Sequence, residues 1–258
     1  GHAVAFDPTI QYLATGSSDH RINIYRLSDG KQTARLTGHD DAVLSVAFSP
    51  DGRLLVSSGY DNTARLWDIA ESETLQVLER HHWWVWDAEF SPDGQQIVTA
   101  GQDGKVVVWR RGDNAKYARQ TEFTQHRGAV YDASFAPDGK QIATAGYDGR
   151  VLLWTPTKVA PIDIQRRLDG LPDPPTPFVE LVEHEGPVRT VAFGPSGDRL
   201  VSGGQDNVLI VWNVARQTPQ AKLRGHASHV RSVAFAEQGA AILSASRDES
   251  VKLWRPEQ

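Results

Sequence analysis

The stretch SPDGRLLVSSGYDNTARLWD, residues 49–68, recurs in near-copies along the whole chain. Its last aromatic residue is Trp67, and the aromatic residues that match it in the other copies are Tyr25, Trp109, Trp154, Trp212 and Trp254. Successive copies are 42, 42, 45, 58 and 42 residues apart. Two further residues recur in every copy at these same intervals. They are a phenylalanine, Phe48 in this copy, and an aspartate six residues before the aromatic residue, here Asp61. Because three positions agree, the chain is built of six repeats.

Each repeat contains three short apolar segments separated by turn residues, which predicts three β-strands, a, b and c. Residues 49–52 predict a tight turn between a and b, because proline fixes φ and glycine permits a positive φ. Residues 73–79, which follow the Trp, are predicted to form a fourth strand, d. The apolar inner strands are typical of a blade covered on both faces, so we expect the array to close or to be capped.

A period near 42 residues, with Gly38-His39 at one end and Trp67-Asp68 at the other, resembles the WD-repeat β-propeller family. The resemblance covers essentially the full length and implies an all-β propeller with six recognisable blades of four antiparallel strands. By this count the last blade lacks its outer strand, which such proteins typically take from residues before the first strand a. The closing strand is therefore expected upstream of Gly1 or from elsewhere, and seven blades in a parent protein stay possible.

We expect residues 1–258 to form a single domain whose repeats end near the six aromatic residues above. The one large irregularity is a proline-rich insertion at 155–180. It is predicted to be an extended loop between strands c and d of the fourth blade.

Composition excludes several classes of function. There are 27 Lys and Arg against 32 Asp and Glu, giving a net charge of −5 and no basic footprint for nucleic acid. The chain has no cysteine, so disulfides and thiolate metal sites are impossible. No apolar run approaches the ~18 residues of a membrane span. We expect a soluble, cytoplasmic domain with no nucleic-acid or membrane partner, no cofactor and no bound metal.

Five histidines lie 28 residues before a Trp, and a Ser or Thr lies four residues before each repeated aspartate. Such a trio can activate a nucleophile, but an active site occurs once, whereas this set occurs five times and always with the Trp. In the family that the chain resembles, these four side chains form a hydrogen-bonded network that holds each blade together. The predicted network residues are His39, Ser57, Asp61, Trp67; His81, Thr99, Asp103, Trp109; His126, Thr144, Asp148, Trp154; His184, Ser202, Asp206, Trp212; and His226, Ser244, Asp248, Trp254. The first repeat has Thr15, Asp19 and Tyr25 but no matching histidine, so its network is expected to be incomplete.

Three tryptophans in the stretch HHWWVWDAEF, residues 81–90, lie outside this network. Alternation along strand a places Trp84 and Trp86 on one side, and we predict that Trp83 packs in the loop between d and a. In the family resembled, the third and fifth positions after the network His, and the residue before the network Asp, face the top surface and commonly contact partners. The partner-binding residues carried over in this way are Trp84, Trp86, Tyr131, Tyr60, Gln102, Tyr147, Arg189, Gln205, Arg231 and Arg247. The alternative is that the indoles pack on each other or plug the channel mouth.

The sequence therefore predicts a non-catalytic interaction scaffold whose aromatic and arginine-rich top face binds a protein or peptide. The SPDG-type repeats resemble bacterial WD-repeat regions that accompany protein kinases or signal-transducing NTPases. A larger signalling or assembly protein, with other domains as partners, is thus expected. The main alternative is a ligand-binding or enzymatic propeller that uses the central channel, which clustered unpaired carboxylates or histidines there would favour. A purely structural scaffold would lack the aromatic surplus.

Overall fold

A computed structural model describes residues 2–156 and 178–255. These residues form 23 strands arranged in six antiparallel sheets, or blades. In each of the first five blades four strands pair in chain order, and the sixth has three. The predicted all-β propeller of six blades, the last without its outer strand, is confirmed.

The strands of each blade are called a to d in chain order. Blade 1 contains β1 (Ala3–Phe6), β2 (Tyr12–Gly16), β3 (Arg21–Arg26) and β4 (Gln32–Thr37); blade 2 contains β5 (Val43–Phe48), β6 (Leu54–Gly59), β7 (Thr63–Asp68) and β8 (Glu73–Glu79). Blade 3 contains β9 (Val85–Phe90), β10 (Gln96–Gly101), β11 (Val106–Arg111) and β12 (Tyr117–Phe123); blade 4 contains β13 (Val130–Phe135), β14 (Ile142–Gly146), β15 (Arg150–Trp154) and β16 (Phe178–Val182). Blade 5 contains β17 (Val188–Phe193), β18 (Arg199–Gly204), β19 (Val208–Asn213) and β20 (Thr218–Arg224); blade 6 contains β21 (Val230–Ala236), β22 (Ala241–Ser246) and β23 (Val251–Trp254).

The turn from strand a to strand b is closed by local hydrogen bonds. In blade 2 the Gly52 N–H donates to the Ser49 carbonyl at 2.8 Å, and the Leu54 N–H donates to the Ser49 hydroxyl oxygen at 2.9 Å. That hydroxyl in turn donates to Asp51 at 2.6 Å. Gly52 has a φ of +70°, a conformation that favours glycine. These contacts explain why Ser, Pro, Asp and Gly recur together at this point.

The hydrophobic core lies between consecutive blades. Between blades 1 and 2, Val46, Leu55 and Trp67 pack against Ile22 and Ile24, and none of the five is more than 6% exposed. Strand a of each blade also packs on strand a of the next, which places these strands around the centre of the array. The sheets are therefore stabilised by apolar contact with their neighbours as well as by their own hydrogen bonds.

The two end faces of the array are apolar but exposed. Val4 in blade 1 is 63% exposed, whereas Val46, at the same repeat position in blade 2, is 6% exposed. At the other end, Val251 in blade 6 is 72% exposed, whereas its counterpart Leu209 in blade 5 is fully buried. In the described part of the chain, blades 6 and 1 do not pack together as consecutive blades do.

Strands c and d of blade 4, which end at Trp154 and begin at Phe178, flank the proline-rich insertion. The insertion is predicted at 155–180, but residues 178–180 belong to strand β16, and 157–177 lie outside the described residues. Within the described ranges, no helix is both long and apolar enough to cross a membrane.

Candidate partner-binding surface

Strand a of blades 2 to 6 contains a β-bulge near its start, where one residue has no partner on strand b. In blade 4, for example, Val130 pairs with Gly146 and Asp132 pairs with Ala145, so Tyr131 is the extra residue. A bulge bends the strand and redirects the extra side chain. The five bulge residues are Leu44, Trp86, Tyr131, Arg189 and Arg231. Four of them belong to the predicted partner-binding set.

The turn between strands b and c lies beside each bulge and is fixed to it by a backbone hydrogen bond. In blade 3 the Gln102 N–H donates to the Trp84 carbonyl at 2.8 Å. The equivalent donors are Tyr60, Tyr147, Gln205 and Arg247, at 2.8–3.0 Å. Bulge residues and turn residues therefore lie together on one end of the propeller, which we call the top face.

Four aromatic side chains form a continuous cluster on this face. The Trp84 and Trp86 rings meet edge to face with centroids 5.8 Å apart, and Tyr60 contacts both, at 4.5 and 5.8 Å. Tyr131 also contacts Trp86, with ring centroids 5.5 Å apart. The Trp86 Nε1–H donates to Gln102 Oε1 at 2.7 Å, while Trp84 keeps 39% of its surface exposed. The indoles thus pack on each other and still present apolar surface. We call Tyr60, Trp84, Trp86 and Tyr131 the aromatic cluster.

The remaining predicted residues surround the cluster without joining its ring contacts. Tyr147 is 58% exposed beside it. Arg189 lies over the Tyr131 ring at 3.8 Å, while Arg231 and Arg247 are exposed on blade 6. The prediction that Trp83 packs in the loop between d and a is wrong, because this side chain is 61% exposed. Among the described residues, Trp83 makes no ring contact with the aromatic cluster.

The repeated His, Asp, hydroxyl and Trp side chains lie in contact in blades 2 to 6. His Nδ1 is 2.7–3.0 Å from the Asp carboxylate, and His Nε2 is 2.7–2.9 Å from the Ser or Thr oxygen. The same hydroxyl oxygen accepts from the Trp Nε1–H at 2.8–3.1 Å. A neutral histidine that donates from Nδ1 and accepts at Nε2 satisfies every member. The arrangement ties strands b and c to the loop before strand a.

The WD domain, G-beta repeat family model matches the chain in six stretches: 2–26, 30–68, 72–110, 118–155, 176–213 and 217–255. The chain belongs to the WD-repeat family. Propellers of this family are in general non-enzymatic scaffolds that bind proteins or peptides. A comparison with curated proteins finds no matching relative.

Electrostatics favour the ionised aspartate in the WD-repeat network. Burial alone would raise the pKa of Asp61, but hydrogen bonds from His39, Thr63 and the Asp40 backbone lower it to about 2. The pKa values of Asp103, Asp148 and Asp206 are lowered for the same kinds of reason. The hydroxyl between His and Trp is no accessible nucleophile, because Ser57 is fully buried and its oxygen already accepts from Trp67.

Blade 1 lacks this WD-repeat network within the described residues. Asp19 is exposed and accepts from the Arg21 backbone N–H at 3.3 Å rather than from a histidine. Thr15 and Tyr25 are each only partly buried. Blade 1 is therefore held by its sheet hydrogen bonds and by one face packed on blade 2.

Three carboxyl groups near the centre of the ring were missed by the sequence analysis. Asp87 and Asp132 occupy the strand a position that is Ser45 in blade 2, and Glu89 lies two residues after Asp87. Burial raises the pKa of Asp87, and burial together with the Asp87 charge raises the pKa of Asp132 to about 8. Burial and the charges of both aspartates hold the pKa of Glu89 well above its usual range. The available signal was an aspartate in two repeats at a position where the other repeats have Ala, Ser or Thr.

These carboxyls connect neighbouring WD-repeat blades. Asp87 accepts from the Ser45 hydroxyl at 2.7 Å and from the Ala133 N–H at 3.2 Å, which joins blades 2, 3 and 4. Asp132 accepts from the Val191 N–H at 2.8 Å, which joins blades 4 and 5. Among the described residues, no group of three or more His, Cys, Asp and Glu side chains is arranged to hold a metal ion.

Proposed function

We propose that this protein is a non-catalytic interaction module that binds a protein or peptide partner through the aromatic cluster on its top face. The observation that carries the proposal is Trp84, 39% exposed within a group of four contacting aromatic rings. Exposed aromatic surface of this kind usually marks an interaction site, and Trp and Tyr are enriched among residues that dominate binding energy. From the sequence resemblance alone, we place the module in a larger cytoplasmic signalling or assembly protein.

The backbone beneath the cluster supports this proposal because it is fixed before any partner arrives. Tyr60 is anchored by its N–H to the Ala42 carbonyl at 3.0 Å, and Trp86 is anchored by its indole to Gln102 at 2.7 Å. Side chains already held in place lose little conformational entropy on binding. A rigid aromatic surface suits a partner that inserts one apolar side chain between or beside the rings.

The rival function, an enzyme or ligand-binding propeller that uses the channel, would draw on Asp87, Glu89 and Asp132. Against it, Asp87 and Asp132 are occupied by hydrogen bonds from Ser45, Ala133 and Val191 on neighbouring blades. A catalytic acid or base needs a free path to substrate. We therefore assign Asp87 and Asp132 to the contacts between blades rather than to catalysis.

The test is selection of binders from a phage-displayed library of random twelve-residue peptides on the immobilised protein. We expect enriched peptides that contain an aromatic or aliphatic residue. Trp84→Ala should raise their Kd about tenfold or more, the equivalent of about 1.4 kcal/mol, measured by fluorescence anisotropy.

Trp83→Ala is the matched control, because Trp83 is the adjacent residue, is also a tryptophan and is 61% exposed outside the cluster. Its Kd should stay within about twofold of the wild-type value. Enrichment of no peptide at all, or an unchanged Kd with both Trp84 and Trp86 replaced by alanine, would remove the proposed surface.

A further inference from the structure

Positive charge is concentrated on the top face of blades 5 and 6, beside the aromatic cluster. Arg189 and Arg231 are the bulge residues of these blades, and Arg247 lies in the adjoining turn, where its N–H donates to the His229 carbonyl at 2.9 Å. In addition to desolvation, the charges of all three arginines lower the pKa of the His229 ring, so the three arginines lie close to it. We call Arg189, Arg231 and Arg247 the basic group.

Within the described residues, the partners that hold Arg189 in place are neutral. Its guanidinium carbon lies 3.8 Å from the centre of the Tyr131 ring. With the Gln205 amide oxygen facing it, that oxygen accepts from Arg189 Nη2 at 2.6 Å and Nε at 2.8 Å. These contacts orient the guanidinium, and neither of them supplies a negative charge.

A comparison with Arg150 makes the missing counter-ion clear. Arg150 is largely buried, with 14% of its side chain exposed, and it pairs with Asp148 and with Glu180, each at 2.7 Å. Among residues 2–156 and 178–255, no member of the basic group pairs with a carboxylate. Arg150 and Arg189 thus differ in whether the described part of the chain supplies a negative charge.

The basic group is also electrostatically unfavourable by itself. Partial burial and the like charge of Arg231 lower the pKa of Arg189. Desolvation and the charges of all three arginines lower the pKa of His229. Like charges that converge without a counter-ion repel one another, so an anion bound among them would relieve the repulsion and gain charge-assisted hydrogen bonds.

Resting on the proposed function, we infer that the basic group binds an anionic side chain of the partner, a carboxylate or a phosphate, beside the apolar residue on the aromatic cluster. Tyr131 joins the two areas, with its ring centre 5.5 Å from Trp86 and 3.8 Å from Arg189. An extended peptide advances about 3.3 Å per residue, so the anionic residue lies within about three residues of the apolar one.

The selected peptides test this inference directly. They should be enriched in Asp or Glu within about three residues of their aromatic or aliphatic residue. Replacing that acid with Asn or Gln should raise the Kd for the wild-type protein about tenfold. The double variant R231Q/R247Q should bind the acidic peptide about tenfold more weakly, and should no longer distinguish the acidic from the neutral peptide. Both arginines are exposed, so the fold should survive.

Arg53→Gln is the matched control, since Arg53 is exposed in an a–b turn at the opposite end of a blade. Arg53→Gln should leave the Kd for the acidic peptide unchanged. It should also leave unchanged the loss of affinity when the acidic residue of the peptide is replaced with Asn or Gln. Peptides that lose affinity with Trp84→Ala but show no acid enrichment, or that bind equally well with the acid neutralised, would overturn the inference while leaving the proposed function intact. Failure of the proposed function is distinct, because the peptides would then be insensitive to Trp84→Ala.

A phosphoserine in place of the acid separates the two anions. Tighter binding than the acidic peptide assigns the basic group to phosphate, and weaker binding assigns it to carboxylate. Either result supports the inference if, in R231Q/R247Q, the anionic peptides bind with the same Kd as the neutral peptide. A difference that persists in this variant would place the anion elsewhere and overturn it.

Discussion

Blade 4 and blade 1 are built from the same repeat, yet they are stabilised differently. In blade 4 both faces are covered, Phe135 is 4% exposed and His126, Thr144, Asp148 and Trp154 form a complete network. In blade 1 the equivalent Phe6 is 57% exposed and the network is absent from the described residues. Local sequence is thus enough to form the blade, while much of its stability comes from neighbours and from the network.

The largest expected difference concerns the two phenylalanines. Phe135→Ala should lower the free energy of unfolding by about 3–5 kcal/mol, because a buried aromatic ring is replaced by a cavity. Phe6→Ala should cost less than about 1 kcal/mol, because most of that ring is already in water. Urea unfolding followed by circular dichroism measures both.

An equal loss of unfolding free energy in the two variants would contradict the difference between blades 1 and 4. Phe6 would then be covered in solution, and light scattering would distinguish self-association from another cause. A small cost for Phe135→Ala would instead mean that blade 4 is not packed as described.

The second expected difference concerns the network aspartate. Asp148 accepts from His126, from the Arg127 N–H at 2.9 Å and from Arg150, so Asp148→Ala leaves buried donors unpaired and should cost about 1–3 kcal/mol. Asp19→Ala in blade 1 should change stability by no more than about 0.5 kcal/mol. Asp68→Ala, which removes only contacts to the Ala70 and Glu71 N–H groups, is a second control. An unchanged melting temperature for Asp148→Ala would remove the structural role of the network.

The features that the sequence predicted are those set by local patterns. The repeat period, the turn at 49–52 and the strand at 73–79 depend on residues close together in the chain, and the structure has β8 at Glu73–Glu79. The family resemblance supplied the roles of the network residues. Strand count followed from the same patterns, including the missing outer strand of blade 6.

What the sequence did not predict depends on pairing between distant segments. The bulge at Tyr131 is visible only once Val130 and Asp132 are paired with Gly146 and Ala145. The approach of Asp87 to Asp132 requires two blades to pack side by side. Trp83 and Trp84 are adjacent and identical, so only the path of the loop separates the exposed residue from the one in the cluster.

A third difference between the blades lies in strand a, where blade 4 has Asp132 and blade 1 has Ala3. The pKa of Asp132 is raised to about 8, so between about pH 4 and 8 this carboxyl is protonated in the folded protein but ionised in the unfolded chain. Its contribution to stability therefore falls as the pH rises through this range. The network aspartates have the opposite sign: the pKa of Asp61 is lowered to about 2, so their contribution is lost as the pH falls from about 4 to 2.

Asp132→Asn should flatten the pH dependence of unfolding between pH 5 and 8 by about 3 kcal/mol. Asparagine keeps an oxygen to accept from the Val191 N–H and, like the protonated acid, has a donor that can face Asp87. Urea unfolding at the two pH values measures the slope. An identical slope in the variant would show that another group carries the titration.

The smallest expected difference separates two equivalent tryptophans. The indoles of Trp154 and Trp254 donate to Thr144 and Ser244 at 2.9 and 2.8 Å, so their hydrogen bonds are alike. Trp154 is fully buried in a blade with neighbours on both faces, whereas Trp254 is partly exposed in the end blade, whose other face carries Val251 at 72% exposure. Local opening needs less free energy where fewer apolar contacts are broken.

We therefore expect the Trp254 indole N–H to exchange with deuterium about tenfold faster than that of Trp154, which corresponds to a difference of about 1.4 kcal/mol in opening free energy. Nuclear magnetic resonance can follow both signals, with Trp154→Phe and Trp254→Phe to assign them. The Trp83 indole, 61% exposed, should exchange first and sets the fast limit. Equal protection of Trp254 and Trp154 would mean that the free face of blade 6 is covered in solution, because an uncovered end blade opens more readily than an interior one.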